Sequence, residues 1–419
     1  MSDKTKTDFT RSVEASFRKG LEKPYVQILF GARQTGKTTL MERVLPEDAL
    51  RINLADSRQR LRYTEDPGEF IRLCESLPKR TAPWVVFVDE AQTVPALFDN
   101  VQYLYDQNKT RWRFVLCGSS ARKLRKAGSN LLPGRSFLHH LFPLTLEERP
   151  PTPAPATGFP SPFSFELGPS PAPRFPATDL MTRLATGELP GVATADAEDR
   201  GGLLRSYIEI FVEEEIRRES LVKEWGTFVR FLRLAGTEAG NPVNFTHLSQ
   251  ECGISAPTIK NHYGLLEDLF LGFSVPAFTR SARNKILSTP KFLFFDIGIR
   301  HAAAGLTPSA DTVTANPGPI FEQWVGIELW KRLQYHRQGT LYYQRSRDGA
   351  EVDYIVEQGT ELIPIEVKWT EHPTASDARH LITFLKENHP HAQKGYVICR
   401  CPTPQKLTDT ITAWPWNYL

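Results

Sequence analysis

The sequence predicts an α/β chain: a parallel sheet with covering helices at the N-terminal end, a helical middle region, and a second α/β unit at the C-terminal end. Three observations carry this. The apolar run VQILF meets a glycine-rich turn and then a helical stretch, and strand-like runs keep alternating with helical patterns to about residue 147. Residues 178–240 place apolar side chains at helical spacing beneath a charged face, as in LLRSYIEIFVEEEIRRES. Residues 316–410 run helix, hairpin, helix, strand as a separate compact unit. The expected divisions are 1–149, a proline-rich insertion or linker over 150–177, a helical region over 178–300, and a last domain over 301–419.

A chain of 419 residues exceeds one ordinary core. Its formal net charge of +3 is too small to specify a polyanionic partner, so any basic footprint must be local. The five cysteines are odd in number and include no C-x-x-C pair, which argues against a disulfide framework and against a zinc site. Cys399 and Cys401 lie in the strand-like GYVICRC, where packing is the expected role. The N-terminal MSDKTKTDFTR is polar, and no apolar run is long enough to span a bilayer, so a soluble cytoplasmic protein without a membrane partner is expected.

Residues 1–24 read as a helix with a basic end. Behind the strand VQILF comes GARQTGKT, which fits G-x-x-x-x-G-K-[ST] in the strand–loop–helix context that this motif requires. Its glycines let backbone N–H groups and a helix N-terminus face phosphates. The nucleotide-binding residues expected are Gly31, Ala32, Arg33, Gln34, Thr35, Gly36, Lys37, Thr38 and Thr39. Lys37 would reach the β- and γ-phosphates of ATP, and the Thr38 hydroxyl would hold Mg²⁺. WVVFVDE reads as a buried central strand ending in two acids. Asp89 would hold the Mg²⁺, and Glu90 would polarise the attacking water, which points to hydrolysis. RFVLCGSSARKL is a further strand ending in small polar residues. Either Ser119 or Ser120 contacts the γ-phosphate or the water, or these serines cap the following helix. In LLPGRSF, Arg135 is either an arginine finger offered to a neighbouring subunit or a surface arginine.

GARQTGKTTL, VFVDEAQ, LCGSSARKL, LPGR and PLTLEE, followed in order by GELPG, LRSYIEIFVEEEI, KFLFFDIGIR and EVDYIV…IEVK, resemble a group of bacterial and archaeal AAA-type ATPases. Members carry a C-terminal region of unknown function with a restriction-endonuclease-like fold. The resemblance spans the chain except the proline-dense 150–176, which departs from the family pattern. It implies an ATPase with a winged-helix element that assembles into a homo-oligomer such as a hexamer.

NFTHLSQECGISAPTIKNHYGLLEDLFLGF reads as a helix, a turn at Cys252–Gly253–Ile254, and a second helix opened by Ser255. Ile254, Ile259, Leu265 and Leu266 form the expected packed face, and Thr258, Lys260, Asn261 and His262 include the candidates for DNA contact. The loop RSARNKILSTPK offers Arg280, Arg283, Lys285 and Lys291 to phosphates. The alternative is a unit that serves only as a protein-packing lid.

In DGAEVDYIVEQGTELIPIEVK, strand alternation puts Glu351 and Asp353 on one face and Val352 and Tyr354 on the other. Glu366 and Lys368 share a face, while Ile363, Ile365 and Val367 point into a core. Two carboxylates and a lysine so spaced suit a Mg²⁺-dependent phosphodiesterase. The helix GPIFEQWVGIELWKRL puts Phe321, Val325 and Leu329 on one stripe and leaves Glu322 off it, free to reach the same site, with Glu328 less well placed. The order of elements resembles the restriction-endonuclease-like core, and residue-by-residue carry-over gives Glu322, Asp353 and Glu366 as metal ligands with Asp353, Glu366 and Lys368 catalytic. A solvated hairpin with a Glu366–Lys368 pair is the alternative. The functional expectation is therefore an ATP-hydrolysing DNA-binding protein with nuclease activity; the alternative is a nucleotide-gated switch that binds DNA or protein without cutting.

Overall fold

The computed structural model describes residues 9–120, 132–154, 174–212, 214, 216, 222, 224–279, 289–345 and 351–419. They form two compact units. One holds Arg11–Phe142 with Asp268–Phe270, and the other holds the described residues of Pro143–Glu267 and Leu271–Leu419 together with Phe9 and Thr10.

The first unit is built on one parallel sheet. Strands β1 (Val26–Phe30), β2 (Leu50–Asn53), β3 (Trp84–Asp89), β4 (Trp112–Gly118) and β5 (Ser136–His140) lie in the order β2-β3-β4-β1-β5. Every residue of VQILF is buried, and a strand buried along its whole length must be covered on both faces. Helices α1 (Glu14–Leu21), α2 (Lys37–Val44), α3 (Ser57–Glu65), α4 (Gly68–Ser76) and α5 (Ala96–Gln107) accompany the strands. Phe70 and Cys74 of α4 and Leu97, Val101 and Leu104 of α5 pack with Val86, Val88 and Phe114 of the sheet. The alternating pattern read from the sequence is thus realised, with β1 flanked by β4 and β5. The helix expected over ARKLRKAG lies outside the described residues.

The second unit opens with α6 (Leu180–Thr186), α7 (Pro190–Thr194), α8 (Ala197–Ser206) and a π-helical turn, Tyr207–Val212. Then come α9 (Trp225–Thr237), α10 (Phe245–Cys252) and α11 (Ala256–Asp268), followed by an antiparallel pair, β6 (Gly272–Val275) and β7 (Lys291–Phe294). Local chemistry sets these helix ends. The Asn244 side chain accepts from His247 N–H, Gly253 closes α10 at φ 70°, and Ser255 Oγ accepts from Thr258 N–H at 3.4 Å. Ile259, Leu265 and Leu266 are buried as expected, and Lys260 and Asn261 are exposed. His262 departs from expectation. It is buried, with its ring 5.1 Å from those of Phe228 and Phe231, so it is a core residue whose pKa burial lowers. Lys291 departs too and is 2% exposed. Arg280, Arg283 and Lys285 lie outside the described residues.

After α12 (Ile297–Ala303) and α13 (Ala310–Ala315), the helix α14 (Pro317–His336) leads into a six-stranded mixed sheet. Strands β8 (Thr340–Arg345), β9 (Glu351–Gln358) and β10 (Glu361–Val367) are antiparallel neighbours. Helix α15 (Arg379–Glu387) follows, and β11 (Gly395–Cys399) pairs parallel with β10 and with β13 (Ile411–Pro415), which β12 (Gln405–Lys406) borders. The sheet buries both faces. Tyr354, Val356, Ile363, Ile365 and Val367 pack with Phe321, Trp324, Val325 and Leu329 of α14. Val352, Ile355, Val397 and Cys399 pack with Leu381 and Phe384 of α15. Val352 and Tyr354 were expected on one face but join different clusters. A register shift between Tyr342 and Gln344 in the β8–β9 pairing breaks the alternation there.

The cluster under α14 also contains Leu184, Phe273, Leu293 and Ile297, so the boundary expected at residue 300 falls within a shared core. Of the proline-rich stretch, Phe159, Phe163 and Phe165 lie outside the described residues, whereas Phe175 is buried and stacks on Phe9 at 4.3 Å. All five cysteines are buried and free. Among the described residues, no helix is long and apolar enough to cross a membrane.

Candidate functional site

The glycine-rich loop joins the C-terminal end of β1 to the N-terminus of α2. A Cβ on Gly31 would lie 2.3 Å from the Leu141 carbonyl oxygen, so only glycine fits. Gly36 enters α2 in the left-handed region, φ 91°, and no side chain caps that helix. The first-turn N–H groups of α2 are thereby kept for an anionic ligand. Arg11 braces the loop from outside: its guanidinium donates to the carbonyls of Thr35 and Phe142, each at 2.6 Å. Thr35 is buried and donates to the Ala32 carbonyl at 2.9 Å, while Gln34, Thr38 and Thr39 are exposed.

Lys37 is 7% exposed and its Nζ donates to the carbonyls of Gly31 at 2.8 Å and Ala32 at 2.9 Å. The ammonium is folded onto its own loop, and these two carbonyl oxygens occupy the acceptor positions that phosphate oxygens would take. Burial lowers its pKa, and Cys117, Glu90 and Asp89 oppose that shift. Thr38 Oγ1 donates to Asp89 Oδ2 at 3.1 Å, from the first turn of α2 to the end of β3. Burial raises the Asp89 pKa and the adjacent Glu90 adds to it, against the Thr38 hydrogen bond. A hydroxyl and a carboxylate in contact beside a phosphate-type loop are the oxygen donors that a hard cation such as Mg²⁺ takes, so Thr38 and Asp89 fit that cofactor.

Glu90 sits at φ 53°, outside the strand, and a short 3-10 turn, Ala91–Thr93, swings Gln92 back beneath it. Gln92 is 3% exposed. Its Nε2 donates to Glu90 Oε2 and to Ser119 Oγ, and Ser119 Oγ donates to Glu90 Oε2 at 3.0 Å. Ser119, at the end of β4, thus orients the carboxylate expected to act on water, whereas Ser120 is buried and donates to the Asp268 carbonyl at 3.5 Å. Gln92 and Arg11 escaped the sequence reading. Gln92 stands two residues behind the acid pair in VFVDEAQ, but only the turn geometry brings it there.

Arg135 lies elsewhere. β1 and β5 are parallel with Val26 opposite Ser136 and Phe30 opposite His140, so Arg135 is at the end of the sheet away from the loop. Its Nε donates to Asp106 Oδ1 of α5 at 2.7 Å.

Residues 23–149 match the model of an AAA domain. A match of this kind supports an AAA-type, nucleotide-binding ATPase, in agreement with the geometry of the loop. The matched stretch holds every residue of the candidate nucleotide site described above except Arg11. Residues 177–310 and 317–419 match two domains of unknown function. Uncharacterized proteins of Mycobacterium tuberculosis and Mycobacterium bovis are each 25% identical over 369 residues, covering 87% of this chain and 75% of theirs. An uncharacterized protein of Methanocaldococcus jannaschii is 23% identical over 352 residues, covering 81% of this chain and 74% of its own.

Beyond the AAA domain, the second unit gathers the other expected site residues. Asp353 of β9 is 8% exposed, and its Oδ2 accepts the Val367 N–H at 2.7 Å. Glu366 of β10 is 4% exposed; its Oε1 takes Lys368 Nζ at 2.6 Å, and its buried Oε2 has no hydrogen-bond partner. Glu322 of α14 comes to the same place, and its backbone carbonyl accepts from the Tyr354 hydroxyl at 3.1 Å. Burial raises the pKa of Asp353 well above the ordinary carboxylate range, and the charges of Glu322 and Glu366 add to it. Burial likewise raises that of Glu366, against Lys368.

The sequence reading missed the cation at the centre. Lys291 Nζ is 3.0 Å from Glu322 Oε1 and 2.7 Å from Glu351 Oε1. The Glu322 carboxylate expected on a metal is therefore in an ion pair, as is that of Glu366. Among the described residues, no group of three or more His, Cys, Asp and Glu side chains is arranged to hold a metal ion. Glu322, Glu351 and Glu366 are already paired with lysines, which does not fit the expected Mg²⁺ site. Glu328, the other acid of α14, is bound up with Lys331 and Arg332 in the core.

Proposed function

We propose that this protein hydrolyses ATP at the AAA domain and that its nucleotide state gates the binding of DNA by the rest of the chain. The observation that carries the first part is the alignment of Lys37, the Thr38–Asp89 contact and the Gln92–Glu90–Ser119 network around one loop. Lys37 exchanges the carbonyls of Gly31 and Ala32 for the β- and γ-phosphate oxygens. Mg²⁺, when bound at Thr38 and Asp89, neutralises phosphate charge. Glu90, its carboxylate fixed by Gln92 and Ser119, orients and deprotonates the water. Glu90→Gln is expected to bind ATP as the wild type does while releasing phosphate roughly 10²–10⁴-fold more slowly. Unchanged phosphate release in that variant would exclude Glu90 from the chemistry.

Support for the DNA contact is the exposed pair Lys260 and Asn261 on the second helix of a helix–turn–helix. Arg135 would act on nucleotide only in a homo-oligomer, from a neighbouring subunit. The cluster at Asp353 and Glu366 is read as one that does not cut, because lysines already pair with Glu322, Glu351 and Glu366 around it. Duplex, single-stranded and branched DNA incubated with ATP and Mg²⁺ test this directly. Retention on DNA that weakens steeply with salt, with no cleavage by wild type or Asp353→Ala, is the expected result. Cleavage by the wild type that Asp353→Ala abolishes would restore a nuclease assignment. No DNA affinity at low salt would point instead to a protein-binding switch.

A further inference from the structure

The Lys291 ammonium is held in a built cage. Its side chain is 2% exposed, and Glu322 and Glu351 grip it from α14 and β9. Its Nζ also lies 5.1 Å from the ring centroid of Tyr343 and 5.9 Å from that of Tyr354, which gives it an aromatic floor. Both rings are themselves pinned. The Tyr343 hydroxyl donates to the Thr289 carbonyl at 2.6 Å, two residues ahead of Lys291, and the Tyr354 hydroxyl donates to the Glu322 carbonyl. The backbone of Lys291 is fixed opposite Val275 in the β6–β7 pair. Burial alone would lower this lysine's pKa, but Glu322, Glu351 and Asp353 outweigh it and keep it charged.

Charge balance gives this placement its meaning. Glu322, Glu351, Asp353 and Glu366 bring four acids to one place, and Asp353 and Glu366 are almost wholly buried. Such a group has to be countered by cations or by protons. A divalent ion coordinated by several carboxylate oxygens is the common solution. Here Lys368 serves one edge of the cluster at Glu366, and Lys291 serves the other at Glu322 and Glu351. The unpartnered, buried Glu366 Oε2 is an oxygen still available to a cation.

We propose that Lys291 is the resident cation of this cluster, a built-in ammonium that excludes a divalent metal ion from a latent site at Asp353, Glu366, Glu322 and Glu351. The inference concerns metal occupancy alone. Its failure would leave ATP hydrolysis and DNA retention untouched, so the two readings fail separately.

Mn²⁺ is the probe, added without nucleotide to the full-length chain. Binding is followed by the loss of free-ion paramagnetic resonance signal and by the shift in the unfolding midpoint. Wild type is expected to show no Mn²⁺ site that Asp353→Asn removes. Lys291→Met, matched in length and uncharged, is expected to gain one site at millimolar Mn²⁺ or below, with the midpoint rising as Mn²⁺ is added. The double variant Lys291→Met/Asp353→Asn is expected to lose both. If Lys291→Met is unfolded by itself, Mn²⁺ should restore its circular dichroism, because the metal then supplies the missing charge. Two results would overturn the proposal: an Asp353-dependent Mn²⁺ site in the wild type, or a Lys291→Met protein that neither binds Mn²⁺ nor is stabilised by it.

Discussion

Lys37→Ala is expected to reduce ATP hydrolysis by roughly 10²–10³-fold, the cost typical of deleting one preorganised group that stabilises transition-state charge, about 2.7–4 kcal/mol. The ammonium is buried, positioned at the mouth of α2, and satisfied by the carbonyls of Gly31 and Ala32. On the proposed reading it exchanges these partners for phosphate oxygens, so its effect falls on the phosphates. The fold should survive the change. Lys37 makes no ion pair within 4.0 Å among the described residues, and its burial acts against its own charge. Phosphate release and unfolding midpoint, measured on the same preparation, separate the two effects. A variant that hydrolyses ATP at the wild-type rate would remove the loop from the reaction.

The second large effect is structural. Glu328→Ala is expected to destabilise the second unit by about 3–5 kcal/mol, the range for breaking a buried ion pair from one side. Glu328 is 1% exposed; its carboxylate forms an ion pair with Lys331 Nζ at 2.8 Å and accepts from Arg332 Nε at 2.9 Å and the Leu146 N–H at 2.9 Å. Lys331 is equally buried, so removal of Glu328 strands an ammonium in the core, where its Nζ donates to the Leu144 carbonyl at 2.6 Å. Burial would raise the Glu328 pKa, but Lys331 and Arg332 outweigh it and hold it at about 2, below the ordinary 4.5. A depressed carboxylate adds stability that is fully present above its unfolded pKa and is lost as pH falls through the folded one. The stability gap between wild type and Glu328→Ala should therefore be constant above pH 4.5 and narrow from 4.5 toward 2. Urea unfolding across that range checks both magnitude and slope. A gap that stays constant to pH 2 would show that the charge of Glu328 contributes nothing.

Much of the AAA domain was legible because its chemistry is local. Glycines, Lys37 and Thr38 lie within one loop, and Asp89 and Glu90 end a strand whose continuous apolar run marks it as central. The Ser255 cap and the Gly253 turn were legible for the same reason, since each is satisfied within a few residues. Legibility failed where a residue's environment came from a distant element. His262 looks like an exposed member of α11 until Phe228 and Phe231 of α9 close over it. Val352 and Tyr354 follow strand alternation on paper, but the register shift against β8 sends them to opposite faces. Gln92 carries no motif signature of its own, and the left-handed backbone at Glu90 is what brings it under the carboxylate.

The acid cluster shows the division most clearly. The sequence by itself determined that Glu366 and Lys368 would share a face, and the short β9–β10 hairpin then brings Asp353 beside Glu366. It determined the phosphate loop for a similar reason, a fixed spacing within eight residues. Only the tertiary structure decided what balances the acids. Lys291 belongs to another strand and reaches Glu322 and Glu351 through the packing of β7 beside α14 and β9. A lysine in a basic stretch reads as a phosphate contact. Burial against two carboxylates and two tyrosine rings makes it a structural cation instead, since the cost of desolvating a charge is set by which opposite charges the fold places around it.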